Sequence, residues 1–142
     1  MNANLDLHTT MVNDPSAFVI HDVSCFPFVN VRVDRLGPDF EPQWESEMVV
    51  LLAQSSPFAV IHHGTLPDET DAARERRAHW LAQHQAIVLR LCKIRIFVES
   101  DAVRRAAAIM HCRRTMQTSG VPNRVVATLD EAYAIASHRL AR

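Results

Sequence analysis

Hydrophobic residues change their spacing several times along the chain, and each change marks an element. Residues 17–23 (AFVIHDV) and 26–33 (FPFVNVRV) read as two strands joined by a tight turn around Ser24 and Cys25. The second alternates Phe28, Asn30 and Arg32 against Val29, Val31 and Val33, the pattern of a strand with one wetter face. Gly37, Pro38 and Pro42 interrupt it. Trp44, Met48, Leu51 and Leu52 then recur at i, i+4, i+7 and i+8, which makes one apolar helical face, and Pro42 suits the first turn. Residues 57–63 (PFAVIHH) form a short apolar run, expected as a buried strand.

A helical period returns from Glu69 to about Leu91. Ala73, Trp80, Leu81, Ile87, Val88 and Leu91 fall on one side, with Arg74, Glu75, Gln83 and Gln85 opposite. Residues 93–99 (KIRIFVE) have strand composition. Ser100 or Asp101 caps the next helix, whose inner face is expected to hold Val103, Ala106, Ala107 and Met110. Gly120 and Pro122 end that helix, and residues 123–128 (NRVVAT) read as a last strand. Thr128 and Glu131 form a capping box for a final helix expected to bury Leu129, Ala132, Tyr133, Ala136 and Leu140.

The order β-β-α-β-α-β-α-β-α predicts an α/β fold: a mostly parallel sheet of about five strands, opened by an antiparallel hairpin and flanked by about four helices. Residues 1–15, polar and aperiodic, read as a flexible N-terminal tail, and residues 16–142 as one domain.

Composition narrows the function. With 15 basic and 16 acidic residues the formal net charge is −1, which argues against a nucleic-acid partner, and the basic positions lack interleaved aromatics. No apolar run approaches the roughly 20 residues of a membrane span, and the N-terminus has no signal-peptide pattern, so the reading is a bacterial-type cytoplasmic protein. The three cysteines have no metal-binding spacing. Three glycines cannot build a phosphate loop, and there is no G-x-S-x-G elbow. His111 and Cys112 are helical neighbours pointing about 100° apart, and His79 and His84 miss the i, i+4 spacing of a zinc helix. No catalytic residue, metal ligand set or cofactor is expected.

The hairpin start, the repeated helix–strand units and the close VVATLDEAYAIASHRL resemble the SpoIIAA-like or STAS-like family, small bacterial α/β domains related to anti-sigma factor antagonists. So do the strand PFAVI and the acid- and arginine-rich helix DAARERRAHWLAQHQ with its tryptophan. The similarity covers about residues 17–140. It implies a sheet flanked by helices and a role in protein–protein regulation or ligand binding. Anti-sigma antagonists of that family carry a phosphorylatable serine or threonine in an Asp-Ser-Ser or Asp-Ser-Thr setting after a strand. Here the corresponding stretch is HHGTLPDET, whose hydroxyls are Thr65 and Thr70, so no residue of that switch carries over.

That stretch still holds the best-placed candidates, because open α/β sheets keep their sites at the C-terminal ends of strands. His62 and His63 are expected to point to opposite faces. His84 falls on the apolar side of its helix near Trp80, and Arg77 is the polar group nearest to the histidines. Two readings follow. The first is a non-catalytic STAS-like domain that docks a protein partner through loop 62–70 and the helix after it, with His62, His63, Thr65, Thr70, Arg77, Trp80 and His84 as candidate contacts. The second is a small-ligand carrier or minor enzyme with a pocket between sheet and helix, using His62 or His63, Trp80 and His84. Arg104, Arg105 and Arg113 form a further basic surface suited to an acidic partner. A homodimer is expected, through the first hairpin or through apolar surplus at Val49, Val50 and Ile109.

Overall fold

The computed structural model describes residues 18–33, 36–37, 39–64 and 70–141, without the side chains at 114–119. The tail at 1–15 and Thr65 lie outside the described residues. The chain forms one five-stranded sheet in the order β1-β2-β3-β4-β5, with β1 (His21–Asp22) antiparallel to β2 (Phe28–Val31). β2, β3 (Phe58–His63), β4 (Cys92–Val98) and β5 (Asn123–Val126) are mutually parallel. The α/β class, the parallel core of the sheet and its antiparallel opening agree with the sequence pattern.

Among the described residues five helices flank the sheet: α1 (Glu41–Ala53), α2 (Asp71–Gln83), α3 (Gln85–Leu91), α4 (Ala102–Ser119) and α5 (Leu129–Leu140). One helix was expected from Glu69 to Leu91, and it breaks at His84. There the imidazole stacks on the Trp80 indole at 4.0 Å, and its Nδ1 lies 2.8 Å from the Trp80 carbonyl oxygen. A ring N–H donated to that carbonyl competes with the helix ladder, which is how a polar side chain bends a helix end.

Each crossover moves one strand further in the same direction, so crossovers of one hand stack their helices on one face. Between those helices and the sheet pack Val29, Val31, Phe58 and Val60 of the strands with Met48, Leu51 and Trp80 of the helices. α5 follows the last strand and covers the opposite face, over Ala59, Ile61, Ile94, Ile96 and Val126. The period-2 pattern of β3 explains the split: Phe58 and Val60 serve one core, Ala59 and Ile61 the other. Each fully buried isoleucine contributes about 1.5–3 kcal/mol.

Buried Glu47 on α1 ties down the short edge strand. Its carboxylate accepts from the backbone N–H groups of Val19 (2.8 Å), Ile20 (3.1 Å) and His21 (2.8 Å), and from Gln43 Nε2 (2.6 Å). The His21 ring lies 2.8 Å from it. Burial alone would raise the carboxyl pKa, but these hydrogen bonds outweigh it and bring it down to about 2. Edge backbone that would otherwise face solvent is thereby satisfied from within.

The capping signals of the last two helices fall where the sequence puts them. The Arg104 N–H donates to Asp101 Oδ2 at 2.8 Å, and the Glu131 N–H to Thr128 Oγ1 at 3.2 Å. Gly120 sits at φ +79°, the left-handed position that ends α4. Among the described residues no helix is long and apolar enough to cross a membrane.

The inner faces of these two helices depart from expectation. Val103 is 79% exposed and Met110 54%, while Cys112 is 6% exposed. At about 100° per residue, Cys112 lies roughly opposite the stripe of Val103, Ala106, Ala107 and Met110, so α4 presents that stripe outward. Leu129, also expected inside, is exposed at the first turn of α5.

Candidate functional site

His62 and His63 end β3, and Gly64, at φ +89°, turns the chain away. The pleat sends the two imidazoles to opposite faces, as expected. His62 faces the helices. It is 5% exposed and stacks on Phe97 with centroids 4.3 Å apart and an interplanar angle of 9°. The Arg95 guanidinium lies 5.5 Å from the Phe97 centroid. Among the described residues neither ring nitrogen of His62 has a hydrogen-bond partner. Burial, then the positive charges of Arg95, His21 and Arg77, push its pKa well below the usual value of 6.5, so it is neutral. A cavity of about 30 Å³ beside it is lined by Trp44, Met48, Val60, Cys92 and Arg95 among others, and has room for water rather than for an organic ligand.

His63 faces the other side and is exposed. Its Nε2 lies 2.7 Å from Asn30 Oδ1, and the Asn30 amide nitrogen is 3.1 Å from the Tyr133 hydroxyl. Tyr133 in turn packs edge-on against Phe28, 5.2 Å between centroids. Asn30, His63 and Tyr133, with Asp22 and Arg32, border an open groove of about 430 Å³ between the ends of β2 and β3 and helix α5. Asp22 Oδ1 accepts from the Ser24 N–H (3.0 Å) and Oγ–H (2.7 Å), while Arg32 Nη2 stands 3.7 Å from Asp22 Oδ2. The Ser24 hydrogen bonds first, and Arg32 less, hold the Asp22 carboxyl below its ordinary pKa.

The remaining candidates serve the helices. Thr70 is the N-cap of α2, its Oγ1 accepting from the Ala73 N–H at 3.1 Å. Arg77 is buried on the sheet side of α2. Trp80 is buried against Trp44, 5.3 Å between ring centroids, and against His84. His62 and His63 are thus brought to the strand ends but separated by the sheet, and neither Trp80 nor His84 lines the cavity beside His62. Buried Cys92 has its thiol pushed up to about 11 by burial, which makes it core rather than nucleophile.

Sequence reasoning missed Asn30, Tyr133, Asp22 and Arg32 as neighbours of His63. The alternation in β2 had already put Asn30 and Arg32 on one wet face. Tyr133 lies 103 residues from Asn30, and only the fold brings them together.

A second surface is the outward stripe of α4. The helix contains four arginines and no acidic residue. Arg104 and Arg113 flank the stripe on its two sides. α4 packs beside α2, so the stripe lies on the helix-rich side of the molecule.

These features define an α/β domain with a polar groove at its strand ends and an apolar, base-flanked helix face. Compared with known proteins, the chain matches no family model, no curated protein and no solved structure.

Proposed function

We propose that this chain is a non-catalytic interaction domain of STAS-like type that docks an acidic amphipathic helix of a protein partner. The observation that carries the reading is the exposed stripe on α4, with Val103 and Met110 among the most solvent-open large apolar residues. Apolar side chains at i, i+3, i+4 and i+7 on an uncovered helix are the anchors of a helix-to-helix contact. Charge chooses the occupant. In a second copy of this chain, Arg104 and Arg113 would meet the same arginines across the contact; α4 itself supplies no acid, and Glu99 and Asp101 already stand 3.7 and 3.8 Å from the Arg104 of their own chain. An acidic helix complements both flanks. The resemblance to anti-sigma antagonists points toward a protein partner as well. Docking through residues 62–70 and the start of α2 is the alternative.

The test is a fluorescence-anisotropy titration with two designed amphipathic peptides, one with glutamates and one with lysines flanking a leucine stripe. The acidic peptide is expected to bind with a Kd of about 10 μM, weakened at high salt. Val103→Asp and Met110→Asp should abolish binding without altering the circular dichroism spectrum. Equal binding of the two peptides, or indifference to these substitutions, overturns the reading. A dimer in light scattering that Met110→Asp dissolves would assign the stripe to a second copy instead.

A further inference from the structure

The groove beside His63 stands apart from the α4 surface and rests on other observations. Three features mark it as a place for a small molecule. Its volume of about 430 Å³ falls in the range of small-molecule pockets. It lies at the C-terminal ends of parallel strands, where the last side chains of β2 and β3 converge on open space. Its polar groups are held by one another rather than loose: His63 by Asn30, Asn30 by Tyr133, and Asp22 by Ser24. A site whose donors and acceptors are already oriented loses less entropy on binding.

The charges in the groove select the ligand. One carboxylate and one guanidinium stand side by side, so a lone anion or a lone cation meets attraction and repulsion together. The 3.7 Å between Arg32 Nη2 and Asp22 Oδ2 is longer than a hydrogen bond, which leaves directional donor capacity on the guanidinium. Asp22 Oδ1 is occupied by Ser24, while Oδ2 is the oxygen turned toward Arg32. A ligand carrying its own ammonium and carboxylate a few ångströms apart, laid antiparallel to this pair, answers both charges at once.

We propose that the groove binds a small zwitterion of the α-amino-acid type, its carboxylate on Arg32, its ammonium on Asp22 and a polar side chain against the His63–Asn30–Tyr133 cluster. Each component has a distinct chemical reason. Arg32 offers the planar fork that suits a carboxylate. Asp22 stays ionised at neutral pH under the Ser24 hydrogen bonds. His63 is exposed, with its Nε2 directed at Asn30. Because Arg32 and Asp22 are partly solvated, the affinity is modest.

The experiment is an NMR titration of the isotope-labelled full chain with L-serine, and with glycerate and ethanolamine as probes that lack the ammonium and the carboxylate respectively. Serine is expected to give saturable shifts at Asp22, Asn30, Arg32 and His63 with a Kd of about 1 mM. Glycerate and ethanolamine should bind at least about tenfold more weakly. Asp22→Asn and Arg32→Gln should each remove serine binding while leaving the α4 peptide titration unchanged. Absence of saturable shifts with serine to about 50 mM, equal affinity for all three probes, or indifference to both substitutions would overturn the proposal.

Discussion

Polar groups on the helix-rich face of the sheet are sealed under helices, whereas those on the opposite face border open space beside α5. Glu47 and His21 form a buried pair, and His62 is buried with no hydrogen-bond partner for either nitrogen among the described residues. Asn30, His63, Asp22 and Arg32 keep contact with solvent. The same kinds of side chain therefore act through different energies on the two faces. Under the helices, desolvation makes each polar group expensive unless it is bonded, so these residues govern stability. Around the groove, solvent screens the same interactions, and these residues are available for recognition.

Substitutions should separate the two faces. The largest effect is expected at Glu47, where Glu47→Gln removes the charge that three backbone N–H groups and His21 converge on. Chemical denaturation at pH 7 should show a loss of about 3 kcal/mol. The pH dependence follows from the same group. Its folded pKa of about 2 lies below the ordinary value of 4.5, so its contribution is complete above pH 4.5 and lost as the pH falls through 2. Glu47→Gln should flatten that part of the acid limb, and an unchanged limb would show that another group drives it.

His62 comes next and has the opposite consequence. A neutral imidazole with two unpaired nitrogens costs stability, so His62→Leu should stabilise the chain by about 1 kcal/mol at pH 7. The folded pKa is depressed, so the unfolded chain takes up the proton first. Stability contributed by the neutral form is complete above about pH 6.5 and declines as the pH drops below it toward the depressed folded value. The gain in His62→Leu should therefore grow between pH 7 and pH 5. A destabilised His62→Leu would mean that water in the neighbouring cavity satisfies the ring.

The smallest effect is expected on the open face. Asn30→Ala breaks the link between His63 and Tyr133, yet should cost only about 0.5 kcal/mol, since the released groups reach solvent. A loss equal to that at Glu47 would erase the contrast between the faces.

The sequence made much of this visible, and the failures have physical causes. Alternation in β2 and β3 assigned side chains to faces correctly, down to the divergence of His62 and His63, because the strand period is exact geometry. Periodicity in α4 grouped Val103, Ala106, Ala107 and Met110 correctly but turned the group inward. A helical period tells which residues share a face, and says nothing about whether core or partner covers it. The break at His84 escaped notice because its apolar spacing runs unbroken across the site. A stacked ring and one hydrogen bond to the Trp80 carbonyl decide it. The groove was hidden for another reason: β1, β2, β3 and α5 each supply part of it, and no local motif records that convergence.

The outward stripe of α4 is the proposed docking face for a partner. Chemical-shift mapping with the acidic amphipathic peptide tests it residue by residue. The largest amide shifts are expected along Val103, Ala106, Ala107, Met110 and Arg113, with His63 and Asn30 unmoved. Shifts centred on Thr70 and the start of α2, or around His63, with α4 silent, would contradict it.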